Sequence, residues 1–329
     1  MSTNIQKTVA RLQEKIEEGQ YYEAQQQTRV VAARYIKSQK WDSAIDIIFN
    51  VSKALLKAGQ GGSSGDLCNL LVEVYEKAEL APDANSKGRL LTCVRLFDSE
   101  EPTRKKFIGA MIGWSSKFGE FPAGDPELHH VVGSIFAEEH EAYDAERHLV
   151  LGTKDSPEVL ARMEYKWYKE GDPHLAAQYV ARAVIPYLLI GNVRAANAAF
   201  RIFTTALCED NKGLSVQDVS SQNCDVKIYP SLPLLNFLSL LILALQRGSL
   251  DLYRQLITKY SAHLKENATW FDCLDAIAEM YFGVKKQRQT NPLFDMMGSL
   301  FGGGGGGSSQ PARRPAANRV EAPAPEGLD

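Results

Sequence analysis

The feature that most constrains the fold of this chain is a short corner motif that recurs along the sequence. In each copy a small or polar residue is followed, after four residues, by alanine or, once, by tyrosine. The copies are Gly19–Ala24, Gln39–Ala44, His140–Ala145, Gly171–Ala176, Gly191–Ala196 and Gly248–Tyr253. Glycine can close a helix in a left-handed conformation, and a small alanine lets the next helix pack closely. The motif therefore predicts repeated helix–turn–helix corners.

The stretches between corners have the apolar spacing of amphipathic helices. In the first of them Ile5, Val9, Leu12 and Ile16 recur at intervals of three or four residues with polar residues between them, which is the pattern of one buried helix face. Alternating strands with two-residue turns are nearly absent. Since helix pairs of roughly 34–45 residues are the units of helical solenoids, the sequence predicts an all-α fold. We expect an α-solenoid of stacked antiparallel helix pairs of the tetratricopeptide-like kind.

Three segments differ from this pattern. Residues 209–233 lose the helical periodicity, and in residues 214–229 the alternation of Val226, Lys227 and Ile228 leaves open a small β-hairpin or an ordered loop. The apolar stretch Leu232–Leu245 is shorter than the roughly 20 residues that a bilayer requires, which predicts a buried core helix. Residues 302–329 are rich in Gly, Pro and Ala, which predicts a flexible tail.

Composition narrows the function classes. The formal net charge is −3, from 37 basic and 40 acidic residues, which gives no general reason to expect nucleic-acid binding. The 5 cysteines contain no CxxC pair, and their odd number argues against a disulfide framework. The first residues lack the apolar run of a secretory signal. We therefore expect a cytosolic protein that does not insert into membranes.

Few residues suggest chemistry. Gly61–Gly65 reads GGSSG and formally matches a nucleophile elbow, but no strand precedes it, so we expect a flexible loop between helices. His140, Asp144 and His148 are spaced like metal ligands on one helix, which would suit a metal-dependent hydrolase. His140, however, falls in a predicted corner, and a solvated helix face explains all three residues. We predict a non-enzymatic interaction protein with no cofactor, no metal and no small-molecule substrate.

Five blocks of the sequence carry a resemblance to a known family. They are GQYYEAQQQTRVVAARY (Gly19–Tyr35), AGQGGSSGDLCNLLVEVYEKAEL (Ala58–Leu80), Gly113–Ser134, Ala145–Thr153 and Met280–Gly302. The chain resembles the Golgi-to-ER-traffic protein 4 family, and its fungal members in particular. These proteins are the helical adaptors of the guided-entry pathway for tail-anchored membrane proteins. The resemblance implies stacked helical pairs and no enzyme activity.

The resemblance also implies two partners. Residues 1–150, the N-terminal helical-repeat half, would dock onto the targeting ATPase that carries tail-anchored proteins. Residues 151–301, the C-terminal half, would grip the N-terminal segment of a ubiquitin-like-domain co-chaperone partner. The adaptor would thereby join a chaperone relay to the ATPase and regulate its nucleotide state. The alternative is a helical-repeat scaffold subunit of another cytosolic complex.

Carried over by position, the resemblance implies three sets of site residues. The ATPase-docking set is Tyr21, Tyr22, Gln25, Arg29, Arg34, Tyr35 and Lys37, where Gln25 stands at a position that is histidine in many members. The ATPase-regulatory set is Asp66 and Glu73. The set for the ubiquitin-like-domain partner is Val226, Ile228, Tyr229, Leu234, Leu235, Phe237 and Leu238. Because a helix as apolar as the one from Leu234 would aggregate if exposed, we expect core packing on one face and partner contact on another.

Overall fold

The computed structural model describes residues 3–219 and 226–284, and most of these residues are helical. The helices are α1 Thr3–Glu17, α2 Tyr21–Lys37, α3 Trp41–Lys57, α4 Gly61–Lys77, α5 Ala84–Leu96, α6 Pro102–Phe118, α7 Pro126–Glu138, α8 Ala142–Leu149, α9 Ser156–Tyr168, α10 Ala176–Leu189, α11 Val193–Asp210, α12 Pro233–Gln246, α13 Leu250–Lys259, α14 Ser261–Lys265 and α15 Thr269–Phe282. Two 3-10 turns, Pro173–Leu175 and Lys212–Leu214, and two short strands, β1 Gln217–Asp218 and β2 Lys227–Ile228, complete these elements.

The helices stack in two layers. Helices α2, α4 and α6 pack side by side in one layer, and α1, α3, α5, α7 and α9 follow one another in the other. Packing continues across residue 150, where α8 contacts α9, and the described residues belong to one compact unit. The predicted all-α solenoid of antiparallel helix pairs is thus confirmed. The assignment of a separate partner to each half stays a prediction. The predicted flexible tail, residues 302–329, lies outside the described part of the chain.

The predicted corners have a common backbone geometry. After α1, Gly19 adopts a φ of 80°, the N–H of Gln20 donates to the carbonyl of Lys15 at 2.8 Å, and the N–H of Ala24 donates to the carbonyl of Gln20 at 2.9 Å. The first of these hydrogen bonds gives a partner to a carbonyl group at the end of α1, and the second begins α2. Five of the six predicted corners begin with a residue at positive φ: Gly19, Gln39, His140, Gly191 and Gly248.

The remaining predicted corner is built differently. Gly171 is not among the residues at positive φ. Instead Asp172 accepts a hydrogen bond from the N–H of His174 at 2.9 Å and caps the 3-10 turn that precedes α10. Pro173 has no N–H and a fixed φ, so it favours this capped turn. Ala176 is nevertheless fully buried, as the motif predicts.

A further copy of the corner motif, Gly59–Ser64, was missed, and it corrects the expectation for GGSSG. Gly59 has a φ of 71°, and the N–H of Gln60 donates to the carbonyl of Leu55 at 2.9 Å, as at the other corners. The glycines and serines that follow begin α4 rather than forming a loop. The motif was not recognised because Ser64 replaces the usual alanine. Ser64 is fully buried, and its hydroxyl donates to the carbonyl of Ser52 at 2.9 Å.

The sequence leaves open whether residues 214–229 form a hairpin or a loop, and the structure shows a hairpin. Strands β1 and β2 pair antiparallel, with Gln217 opposite Ile228 and Asp218 opposite Lys227. The side chain of Asn236 on α12 fixes β2 to the helix stack, because its amide accepts from the N–H of Tyr229 at 2.8 Å and donates to the carbonyl of Tyr229 at 2.9 Å. Residues 220–225, between the strands, are outside the described residues.

Helix α12 is the core helix that the apolar stretch predicts. Leu235, Phe237, Leu238 and Leu241 are fully buried, and α12 packs against α10, α11, α13 and α14. In the described part of the chain, no helix combines the length and the apolar character needed to cross a bilayer.

Gly65 marks a close approach between α4 and α6. A Cβ atom at this position would overlap the side chain of Thr103, in the first turn of α6. Three residues earlier in the same helix, Gly62 has no neighbouring atom within 4 Å of the corresponding point. Gly65 therefore lets the two helix starts pack together, whereas Gly62 has no such role. This contact fixes the part of α4 that carries Asp66.

We expect Gly65→Ala to destabilise the protein by about 1–3 kcal/mol, because the added methyl group overpacks the contact with Thr103. Gly62→Ala is the matched control. It adds the same methyl group in open space and should raise stability by up to about 1 kcal/mol through helix propensity. Urea unfolding midpoints measure both effects, and equal midpoints for the two variants would contradict the packing argument.

Candidate partner-binding surfaces

The predicted ATPase-docking residues lie on α2, and the structure divides them by exposure. Tyr22 is 72% exposed, and Arg29, Arg34 and Lys37 are exposed as well. Tyr21 and Tyr35 are half-buried, and Gln25 is buried. The exposed members therefore form a surface that combines an aromatic ring with three positive charges.

Val30 belongs to the same face and was missed from the sequence. Its side chain is 55% exposed, eight residues after Tyr22, so the two lie near the same side of the helix. A single valine in a helix is ordinarily counted as core, which is why its position gave no signal. We call the exposed residues Tyr22, Arg29, Val30, Arg34 and Lys37 the α2 face.

The predicted regulatory residue Asp66 is joined directly to the docking set. Its Oδ2 atom accepts a hydrogen bond from Nη1 of Arg29 at 2.6 Å and another from Nε2 of Gln25 at 2.9 Å. The two donors are four residues apart on α2, and the acceptor lies on α4, 37 and 41 residues away in sequence. Glu73, two turns further along α4, is exposed and pairs with Lys77 at 3.7 Å.

The predicted residues for the second partner separate into core and surface. Leu235, Phe237 and Leu238 are fully buried, and Leu234 is 9% exposed. Their side chains are enclosed by the fold and cannot form a partner surface in this arrangement. When a helix is apolar on all sides, its sequence does not show which side is exposed. The sequence therefore could not separate the residues that pack in the core from those that could contact a partner.

The hairpin residues also differ among themselves. Ile228 is exposed on β2, and Val226 is half-buried. Tyr229 is buried, and burial raises the pKa of its phenol to about 12. Tyr229 therefore anchors the hairpin to the core as a neutral side chain, while Val226 and Ile228 remain accessible.

A groove lies between the hairpin, α12 and α13. It has a volume of about 360 Å³, and its apolar lining residues include Val226, Leu240, Leu243, Leu252 and Leu256. Leu252 is 41% exposed, although it is a large apolar side chain. Arg247 and Lys259 also line this cavity, which we call the α12–α13 groove. The groove was missed because its residues come from three elements whose packing the sequence does not reveal.

The histidines of the central helices are packed rather than arranged as metal ligands. Nδ1 of His129 lies 3.0 Å from Nδ1 of His148, and Nε2 of His129 lies 3.0 Å from the carbonyl oxygen of Ala123. Burial lowers the pKa of both rings, that of His148 to about 4. The pair therefore bridges α7 and α8 in the neutral form.

The three residues considered as metal ligands are directed to different places. His140 occupies the corner after α7 with a φ of 65°, Asp144 pairs with Lys105 at 2.7 Å, and His148 faces His129. Within residues 3–219 and 226–284, no group of three or more His, Cys, Asp or Glu side chains is arranged to hold a metal ion. The hydrolase alternative therefore loses the geometry on which it depended.

The fold and these surfaces define the class of the protein as a helical-repeat protein with two exposed surfaces of different chemistry. Sequence comparison agrees with this class, because the family model described as Golgi to ER traffic protein 4 matches residues 38–301. The chain belongs to the Golgi to ER traffic protein 4 family, and the resemblance noted from the sequence blocks is confirmed.

Individual relatives support this assignment. A protein of Aspergillus fumigatus named Golgi to ER traffic protein 4 is 52% identical over 98% of both chains. The protein of that name from Schizosaccharomyces pombe is 32% identical over 92% of this chain and 96% of its own. A solved structure described as the crystal structure of C. therm. Get4 has a TM-score of 0.86 and 57% identity, and the match covers 95% of this chain and 100% of that one.

The neutral histidine pair predicts a loss of stability in acid. Both pKa values are lower in the folded chain than the ordinary value of 6.5, so the unfolded chain binds more protons as the pH falls. Stability should be fully present above about pH 6.5 and decrease toward pH 4, by up to about 1.4 kcal/mol per pH unit for each histidine.

His148→Phe should make this decrease shallower, because one of the two titrating rings is removed. His174→Phe is the control, since His174 is exposed in a 3-10 turn. The free energy of unfolding, measured by urea denaturation between pH 4.5 and 7.5, gives the slopes. Identical slopes for the wild type and His148→Phe would contradict the buried neutral pair.

Proposed function

We propose that this protein is a non-enzymatic adaptor in the post-translational targeting of tail-anchored membrane proteins to the endoplasmic reticulum. It would bind the targeting ATPase through the α2 face and Asp66, and a ubiquitin-like-domain co-chaperone partner through the α12–α13 groove. The observation that carries this proposal is that a single stack of helices presents two separate surfaces, one cationic and aromatic, the other an apolar groove. Family membership supplies the pathway.

The chemistry of the α2 face suits an acidic partner surface. Tyrosine and arginine are the residue types that contribute most to binding energy at protein interfaces, and Tyr22 and Arg34 are both exposed. Guanidinium groups form short, charge-assisted hydrogen bonds with carboxylates. Exposed charges also accelerate encounter with an oppositely charged partner. The predicted docking residues thus have a physical basis besides the family resemblance.

The α12–α13 groove suits a different kind of partner. Its leucines offer an apolar channel in which an amphipathic segment could bury its own apolar side chains. Ile228, two residues after the groove residue Val226, is a further exposed apolar side chain of the hairpin. An ordered N-terminal segment of the ubiquitin-like-domain partner fits this description. Binding of this kind depends mainly on apolar burial, while Arg247 and Lys259 at the groove add a part that responds to salt.

The proposal is tested first by equilibrium titration of the full chain with the targeting ATPase, with and without ATP. Nucleotide-sensitive binding is the expected result. Absence of binding by a folded, helical chain would overturn the ATPase assignment and favour a scaffold of another cytosolic complex.

Arg34→Glu should weaken ATPase binding at least tenfold, since it replaces an attractive charge by a repulsive one on the exposed α2 face. Arg201→Glu on α11 is the matched control, because it makes the same charge change at an exposed residue outside the α2 face. Circular dichroism should show the same helix content for both variants. Equal affinities of the two variants would argue against the α2 face.

Leu252→Glu should weaken binding of the ubiquitin-like-domain partner at least tenfold, because it places a charge in the apolar groove. Leu175→Glu is the control. Leu175 is 40% exposed, much as Leu252 is at 41%, but it does not line the groove. Calorimetric titration with the partner measures both affinities, and a similar loss in both variants would show that the effect is not specific to the groove.

A further inference from the structure

The hydrogen bonds around Asp66 connect the two sets of residues predicted to contact the ATPase. Arg29 and Gln25 both donate to the same carboxylate oxygen, Oδ2. The other oxygen, Oδ1, accepts no hydrogen bond from the described residues. The carboxylate is thus engaged on one side and available on the other.

Arg29 differs from the other cations of the α2 face. Arg34 and Lys37 form no ion pair with the described residues, whereas Arg29 is paired with Asp66 at 2.6 Å. The pair is exposed, with 43% of the arginine and 51% of the aspartate side chain accessible to solvent. An exposed pair of this kind favours the paired state only about 1.5- to 5-fold, because water and salt compete with it. A partner can therefore replace it at little cost.

We propose that Asp66 is an internal competitor for Arg29, and that binding of the ATPase exchanges this ion pair. This inference rests on the proposed function and specifies the regulation of that site. In the free protein Asp66 occupies the guanidinium group of Arg29. When an acidic group of the ATPase takes Arg29, the carboxylate of Asp66 is released to contact a basic group of the ATPase. One internal pair is exchanged for two intermolecular pairs.

Gln25 limits where the released carboxylate can go. Its amide is buried and donates to Oδ2 at 2.9 Å independently of Arg29. Because an amide is neutral, this bond does not compete for the charge of the ATPase group. Asp66 therefore remains held at the edge between α2 and α4 after Arg29 turns away.

The exchange has a distinctive signature in a double-mutant cycle. Each single substitution, Arg29→Met or Asp66→Asn, removes one intermolecular pair but also removes the need to break the internal pair. Each single loss is therefore reduced by the strength of the internal pair. In the double variant the cost of breaking the internal pair is also absent, but it is subtracted only once from the combined loss. It should bind the ATPase about 1.5- to 5-fold more weakly than the product of the two single losses predicts.

The experiment measures ATPase binding by the full-length wild type, the two single variants and the double variant in low-salt buffer. Thermal unfolding of the same four proteins without ATPase gives the strength of the internal pair, which should agree with the excess loss in binding. The control cycle uses Arg162→Met and Glu158→Gln on α9, an exposed pair at 2.9 Å outside the α2 face, and should leave ATPase binding unchanged.

Each outcome is decisive. If the double variant loses more affinity for the ATPase than the product of the two single fold losses, the result supports the exchange. A loss equal to the product means that Arg29 and Asp66 act independently, and a smaller loss means that the pair stays intact in the complex; either result overturns the inference. If the wild type does not bind the ATPase, the proposed function fails. If the wild type binds but the double loss is equal to or smaller than the product, only the exchange is overturned.

Discussion

At most of the corners between helices, a single residue with positive φ reverses the chain, and the layered packing depends on this reversal. At the first corner, Gln20 donates its N–H to the helix before it and accepts from the N–H of Ala24 in the helix after it. Only Glu18, Gly19 and Gln20 separate the two helices, so the helices lie antiparallel and side by side. The buried Ala24 then allows the close approach that sets the spacing of the layers.

Much of this architecture can be predicted from the sequence, because its determinants are local. A positive φ favours glycine, and a close helix contact favours alanine, so the corners have a recognisable composition. Gly19, Gly191 and Gly248 are examples. Helix α12 could also be predicted as core, since an uninterrupted apolar stretch of this length has no other stable environment in water.

The candidate surfaces could be predicted less well, because they depend on contacts between distant parts of the chain. Asp66 and Gln25 were assigned separate roles from the sequence, and only the packing of α4 on α2 brings their side chains within 2.9 Å. Leu235 and Phe237 were expected to contribute to a partner surface, but the neighbouring helices enclose them. Leu252 forms part of the groove because the hairpin and α13 converge on α12, which periodicity cannot show.

The unbroken packing of helices across residue 150 has a consequence for how two bound proteins would meet. A flexible linker lets its ends explore many separations, and the effective concentration of one bound protein near the other falls as the linker lengthens. Stacked helices allow much less variation. Proteins held on the α2 face and in the α12–α13 groove would meet over a narrow range of distances and orientations. The number of helix pairs between the two surfaces would then set the distance at which two bound proteins face each other.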